Sequence, residues 1–198
     1  MKYVFKQGTG QLFLLLHGTG GDEQSLIEIA EYLDPSSTIL SFRGRVMEEG
    51  MNRFFKRNGL NQFDIESLEE ETDHLLEEIT KVSKEKGIKV SDWTILGYSN
   101  GANIAGHLLL ERKSELKKAV LLHPMSLGVD TGDTDLSEKK VLMTFGESDP
   151  IVSIDAFQQL TSQMKRRAVE VTVIETMAGH QVTMEEIDQV KQWLNSYQ

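Results

Sequence analysis

Gly97-Tyr98-Ser99-Asn100-Gly101 sets a serine between two glycines, after a short apolar strand pattern (Trp93 to Leu96) and before a helical one with Ala102, Ile104, Ala105, Leu108 and Leu109. A G-x-S-x-G run alone is common in ordinary turns. Strand, sharp turn and helix together describe a nucleophile elbow. Its flanking residues lack Cβ atoms, so the two backbones can close together and lift the hydroxyl clear of the sheet. The turn also puts Ser99 and the Asn100 N–H at a helix N-terminus, where unpaired donors and the helix dipole favour negative charge. The chemistry implied is attack by the serine oxygen on a carbonyl, with the oxyanion held at the helix start.

A serine hydroxyl is a weak nucleophile at neutral pH and needs a base within hydrogen-bond reach, itself oriented by a third group. Five histidines are available. His74 falls in an acidic helix pattern and reads as surface, and His107 lies two turns along the helix that leaves the elbow, too far from its start. His17, before a glycine loop, and His123, before Pro124, both lie at the rim and stay open on position alone. His180 is preferred because it sits in a glycine-hinged loop between the last strand and the last helix. It also follows the acid in the order that elbow enzymes use. That acid is Asp149 of Gly146-Glu147-Ser148-Asp149-Pro150, directly after a strand and held extended by the proline; Glu147 is the reserve.

The loop His17-Gly18-Thr19-Gly20-Gly21 lacks the Lys-Ser/Thr ending of a phosphate loop, and Asp22 and Glu23 follow it, so phosphate would meet repulsion. Its Thr19 N–H instead offers a second oxyanion donor opposite the Asn100 N–H. The sequence has no H-E-x-x-H, no histidine pair at ligand spacing and no cysteine, so neither a metal nor a cofactor is expected.

The elements that must position these residues alternate. Tyr3 to Phe5, Leu12 to Leu16, Thr38 to Phe42, Trp93 to Leu96, Ala119 to Leu122, Val141 to Phe145 and Val169 to Ile174 read as strands. Helical spacing recurs over 23–33 (with Asp22 as N-cap), from Ile65 to Val82 with Gly87 ending the helix, after the elbow, over 156–164, and from the capping box Thr183/Glu186 onward. Arg43 to Phe63 reads as a long irregular segment, too rich in Met and aromatic residues for disorder. Alternating strands and helices imply right-handed crossovers and a mostly parallel sheet with helices on both faces, with functional groups beyond the strand carboxyl ends.

Bulk properties narrow the function classes. A chain of 198 residues, 39% hydrophobic, suits one domain over 1–198. A net charge of -10 opposes nucleic acid and anionic membrane surfaces. The absence of cysteine agrees with a reducing compartment, and the longest apolar run, Leu12 to Leu16, cannot span a bilayer. The expectation is a cytoplasmic monomer or homodimer, without stable membrane association, acting on a small-molecule acyl ester.

With these motifs in place the chain resembles the α/β-hydrolase superfamily, and within it the small bacterial carboxylesterase, phospholipase and acyl-protein thioesterase-like branch. The likeness covers nearly the whole chain: oxyanion loop (His17 to Gly21), elbow (Gly97 to Gly101), acid loop (Gly146 to Pro150), histidine loop (Gly179-His180) and a substrate-side loop (Arg53 to Arg57). It implies an α/β-hydrolase fold with no separate cap domain and a Ser99-His180-Asp149 triad. Thr19, where thioesterase members carry a bulky apolar residue, and Asn100, where they carry Gln, point away from protein depalmitoylation. Met47, Met51, Phe54, Phe55 and Met125 are the expected acyl pocket, since Met and aromatic side chains reshape around apolar groups. The activity implied is cleavage of short- to medium-chain acyl esters. A thioesterase or lysophospholipase would use the same triad, and a non-catalytic binding protein is the third reading.

Overall fold

The fold is built on a seven-stranded sheet in which alternate side chains of each strand feed two separate cores. A computed structural model describes residues 1–197. In chain order the elements are β1 (Tyr3–Lys6), β2 (Leu12–Leu16), α1 (Ile27–Leu33), β3 (Thr38–Phe42), β4 (Val46–Glu48), β5 (Met51–Arg53), β6 (Arg57–Gly59), β7 (Gln62–Phe63), α2 (Ile65–Lys86), β8 (Thr94–Tyr98), α3 (Asn100–Glu111), β9 (Lys118–Leu122), β10 (Lys140–Gly146), α4 (Ile154–Arg166), β11 (Glu170–Thr176) and α5 (Met184–Asn195).

The sheet runs β1-β3-β2-β8-β9-β10-β11. Only the edge strand β1 is antiparallel to its neighbour; every other pair is parallel. Period-two alternation divides β2: Leu14 and Leu16 join the core under α2, α3 and α4, whereas Phe13 and Leu15 face the core under α1 and α5. No separate cap domain occurs among the described residues, and no helix is long and apolar enough to cross a membrane.

Several local expectations hold. Gly87 closes α2 in the left-handed conformation, and Thr183 and Glu186 form a reciprocal capping box at α5. Two differ. The helix expected from Glu23 begins at Ile27; Asp22 accepts from the Gln24 N–H at 2.8 Å and so caps a turn ahead of the helix. The segment 43–63, expected to be irregular, is two small hairpins, β4-β5 and β6-β7. Glu49 and Gly50 close the first with φ of 51° and 76°, the doubly positive geometry of a two-residue hairpin turn. Glu-Gly does not advertise that turn as Asn-Gly would.

Glu23 ties three segments together near the loop that follows β2. Its buried carboxylate accepts from Arg43 Nε at 2.5 Å and Nη2 at 3.1 Å, and pairs with Lys2 Nζ at 2.9 Å. Burial alone would raise this carboxyl; Lys2 and Arg43 outweigh it and hold it down at about 2. Because the folded value lies below the ordinary 4.5, the stabilisation is complete above that pH and is lost as pH falls towards 2. Glu23→Gln is therefore expected to cost about 1–3 kcal/mol at pH 7. Urea midpoints of the two proteins should draw together as pH is lowered below 4.5 and meet only below about 2.

Candidate active site

Four neighbouring parallel strands end at one edge of the sheet, and the residues just beyond them meet: Ser99 after β8, His123 after β9, Asp149 in the loop after β10, and His180 in the loop after β11. Tyr98 pairs with Leu122 in the β8-β9 register, so Ser99 and His123 leave the sheet at the same level. Both are forced into the left-handed region, with φ of 50° and 52°. Such strain costs roughly 1–3 kcal/mol per residue and persists only where the surroundings impose it.

Close packing imposes it at Ser99. The serine N–H donates to Leu122 O across the sheet at 2.9 Å, and its carbonyl already accepts from the Asn103 N–H of α3 at 2.8 Å. A Cβ at Gly101 would stand 2.0 Å from Leu16 O and 2.6 Å from His17 O, so the first turn of α3 rests directly on the end of β2. The Asn100 amide anchors the same turn from the side: its Oδ1 accepts from the Phe54 N–H at 2.7 Å, while Nδ2 is buried without a partner.

His180 Nε2 lies 2.8 Å from Ser99 Oγ, and Nδ1 lies 2.7 Å from Asp149 Oδ2. The Tyr98 hydroxyl donates to the His180 carbonyl at 3.0 Å and steadies the loop. Asp149 Oδ1 accepts the Ile151 and Val152 N–H groups at 2.8 and 2.9 Å, which aims Oδ2 at the imidazole. Burial pushes the Asp149 carboxyl up, but the Val152 N–H, His180 and the Ile151 N–H outweigh it, and the group lies below the usual carboxylate range. The arrangement can pass a proton from hydroxyl to imidazole while a fixed carboxylate faces the cation that forms. His123, Asp149 and His180 also offer ligand atoms within 4.8 Å of one another, a grouping able to hold a cation, although the protons they share use the same lone pairs.

The remaining histidines separate clearly. His17 is buried, donating from Nδ1 to Gly18 O at 2.7 Å and accepting the Gly44 N–H on Nε2 at 3.0 Å. That is one neutral tautomer fully satisfied, and burial lowers its proton affinity. His107 is enclosed between Thr72 and Glu69 on α2, away from the site. Sequence reasoning left His123 open and did not anticipate its contact with Asp149; its place at a strand end before a proline was the signal. Glu186 was legible only as half of a capping box, yet its carboxylate reaches His123.

Ser99 and His180 open into a cleft of about 340 Å³, which Thr19 and Asn100 also line. Of the expected pocket residues, Met51 and Met125 stand on its wall. Three do not. Phe54 and Phe55 are core side chains, 1% and 0% exposed, the former packed on the His17 ring at 4.7 Å, and Met47 is 63% exposed on the β4-β5 hairpin. Alternation along short, twisted hairpins decides which side chains face the cleft, and an irregular reading of 43–63 could not supply it. The apolar wall is completed by Leu60, Phe63, Ile151 and Val152, and Arg53 and Arg57 also line the cleft. Arg53 is 3% exposed and donates to Thr19 Oγ1 at 2.6 Å, fixing the loop after β2.

The profile of the phospholipase/carboxylesterase family matches residues 6–198. The chain belongs to that family. Two solved relatives share its architecture at a TM-score of 0.95 and 39% identity: YahD, solved with malic acid, over 100% of this chain and 99% of that one, and the Bacillus cereus carboxylesterase, over 99% and 94%. MhqD of Bacillus subtilis (strain 168), named as a hydrolase, is 35% identical over 196 residues, covering 98% of this chain and 97% of that protein. The α/β-hydrolase fold expected from the motifs is the fold present, and this phospholipase/carboxylesterase family member keeps its chemistry-bearing residues at the strand ends.

The packing at the elbow carries a direct expectation. Gly101→Ala must displace the carbonyls of Leu16 and His17 and should cost about 1–3 kcal/mol. Chemical denaturation measures the loss, and a variant as stable as the parent would contradict the close approach.

Proposed function

We propose that this family member is a serine carboxylesterase working through an acyl-enzyme on Ser99. Ser99 Oγ attacks the acyl carbonyl as His180 Nε2 takes its proton. The Thr19 and Asn100 N–H groups hold the tetrahedral oxyanion, and collapse expels the alcohol with the proton returned from His180. Water, deprotonated by the same imidazole, then releases the acid. Asp149 keeps His180 in the tautomer whose bare nitrogen faces Ser99. The observation that carries this reading is the unbroken chain of contacts from Ser99 Oγ through His180 to Asp149, at 2.8 and 2.7 Å.

The cleft volume lies at the low end for small-molecule sites, which favours short to medium acyl groups against Met51, Met125 and Val152. A second reading concerns the rest of the substrate. Arg53 and Arg57 among the lining residues, together with a relative solved with malic acid, favour esters that carry a carboxylate. Glu48 lies 3.7 and 3.6 Å from the two guanidinium groups and tempers their charge.

Ser99→Ala is expected to lower p-nitrophenyl acetate and butyrate hydrolysis by about 10⁴-fold or more and to abolish labelling by a fluorophosphonate. Turnover that survives the substitution, or an adduct on another residue, would overturn the assignment. Intact binding of esters with no turnover in the parent would support a non-catalytic protein instead. A graded series of esters and thioesters reads out chain length and leaving group, and a matched pair of neutral and carboxylate-bearing esters tests the arginines.

A further inference from the structure

His123 stands where the proposed mechanism does not use it. Its side chain is wholly buried, as are those of Asp149 and Glu186, and it lies between them. Nδ1 is 3.3 Å from Asp149 Oδ2, the same oxygen that faces His180. Nε2 is 3.2 Å from each Glu186 oxygen, with hydrogen-bond geometry to Oε2. Carboxylates only accept hydrogen bonds, and a neutral imidazole has one N–H and one bare lone pair. With a carboxylate at both nitrogens, a bare nitrogen of this buried ring would face negative charge. One retained proton removes the conflict, because an imidazolium donates on both sides.

The other groups facing this ring are His180, with ring centroids 5.4 Å apart, and Tyr98, with centroids 6.3 Å apart. Neither carries a fixed charge. Burial opposes the cation, but Glu186 and Asp149 together outweigh it and raise the proton affinity of His123 above the ordinary value. The backbone supports a dedicated position: His123 bears a φ of 52°, and its N–H is fixed on Thr144 Oγ1 at 3.1 Å.

We propose that His123 is a positioning residue, an imidazolium clamped between Glu186 and the triad acid, that shares Asp149 Oδ2 with His180 and opposes a second positive charge on that neighbouring ring. It thereby sets the pH at which the enzyme switches on. The inference rests on the triad reading above for its kinetic consequence, but the charge on His123 stands apart from it.

The test uses the whole chain labelled with ¹⁵N-histidine. At pH 8 the His123 ring should show both nitrogens protonated, and Glu186→Gln, which keeps a side chain able to complete the capping box, should reduce it to one. In kcat/KM profiles on p-nitrophenyl acetate, His123→Asn, chosen because Asn adopts positive φ readily, should move the acid limb up by about half to one pH unit. Glu186→Gln should move it in the same direction by less. A bare nitrogen on His123 at pH 8 in the parent, or acid limbs that superimpose on the parent in both folded variants, would overturn the proposal. Should neither variant fold, the parent spectrum alone decides it. Absence of esterase activity in the parent would instead remove the triad reading, while the spectrum still reports the charge.

Discussion

The left-handed turn at Ser99 is the constraint on which the rest of the site depends. An L-residue does not choose φ of 50° unaided. Here the serine N–H is taken by β9, its carbonyl by α3, and the helix can start so abruptly only because Gly101 sits against the Leu16 carbonyl with no Cβ. Loosening any one of these contacts would let the serine relax and withdraw its hydroxyl from His180. The Asn100 amide extends the same constraint to the β4-β5 hairpin through the Phe54 N–H, so the cleft wall and the elbow are set by one hydrogen bond.

Electrostatics around this turn are organised by a carboxylate that water does not reach. Asp149 takes two backbone N–H groups on one oxygen and faces two imidazoles with the other. A buried anion this well supplied remains charged, and a charged, immobile partner is what an imidazole needs in order to keep one tautomer. Beyond it Glu186 serves twice, as cap of α5 and as partner of His123. Orientation of the final helix and charge at the site are thereby joined in one side chain.

How much of this was legible depended on whether a residue's role is local. The elbow, the positions of the seven main-sheet strands and the capping box follow from spacing within a few residues, and each appears in the structure where the pattern placed it. The turns that carry Ser99, Asp149 and His180 were legible because glycines and a proline mark them. His123 and Glu186 were not, since their partnership spans 63 residues and neither neighbourhood hints at the other. Phe54 and Phe55 misled for a related reason. Aromatic side chains fill a core or a pocket equally well, and only the hairpin geometry decides between them.

The glycine at the end of β10 has a mechanical consequence. β10 and β11 run in register for seven residues, from Lys140 opposite Glu170 to Gly146 opposite Thr176. A Cβ on Gly146 would collide with the carbonyls of Gly179 and Ala178 at 2.3 and 2.5 Å, and Ser148 donates back to Ala178 O at 3.1 Å. The carboxylate and the imidazole therefore ride on one stiff double strand and travel as a single piece. The hydroxyl rides two strands away, across β9. The Ser99–His180 contact is thus the link that couples this double strand to the elbow, with the Tyr98 hydroxyl on the His180 carbonyl as a second tie.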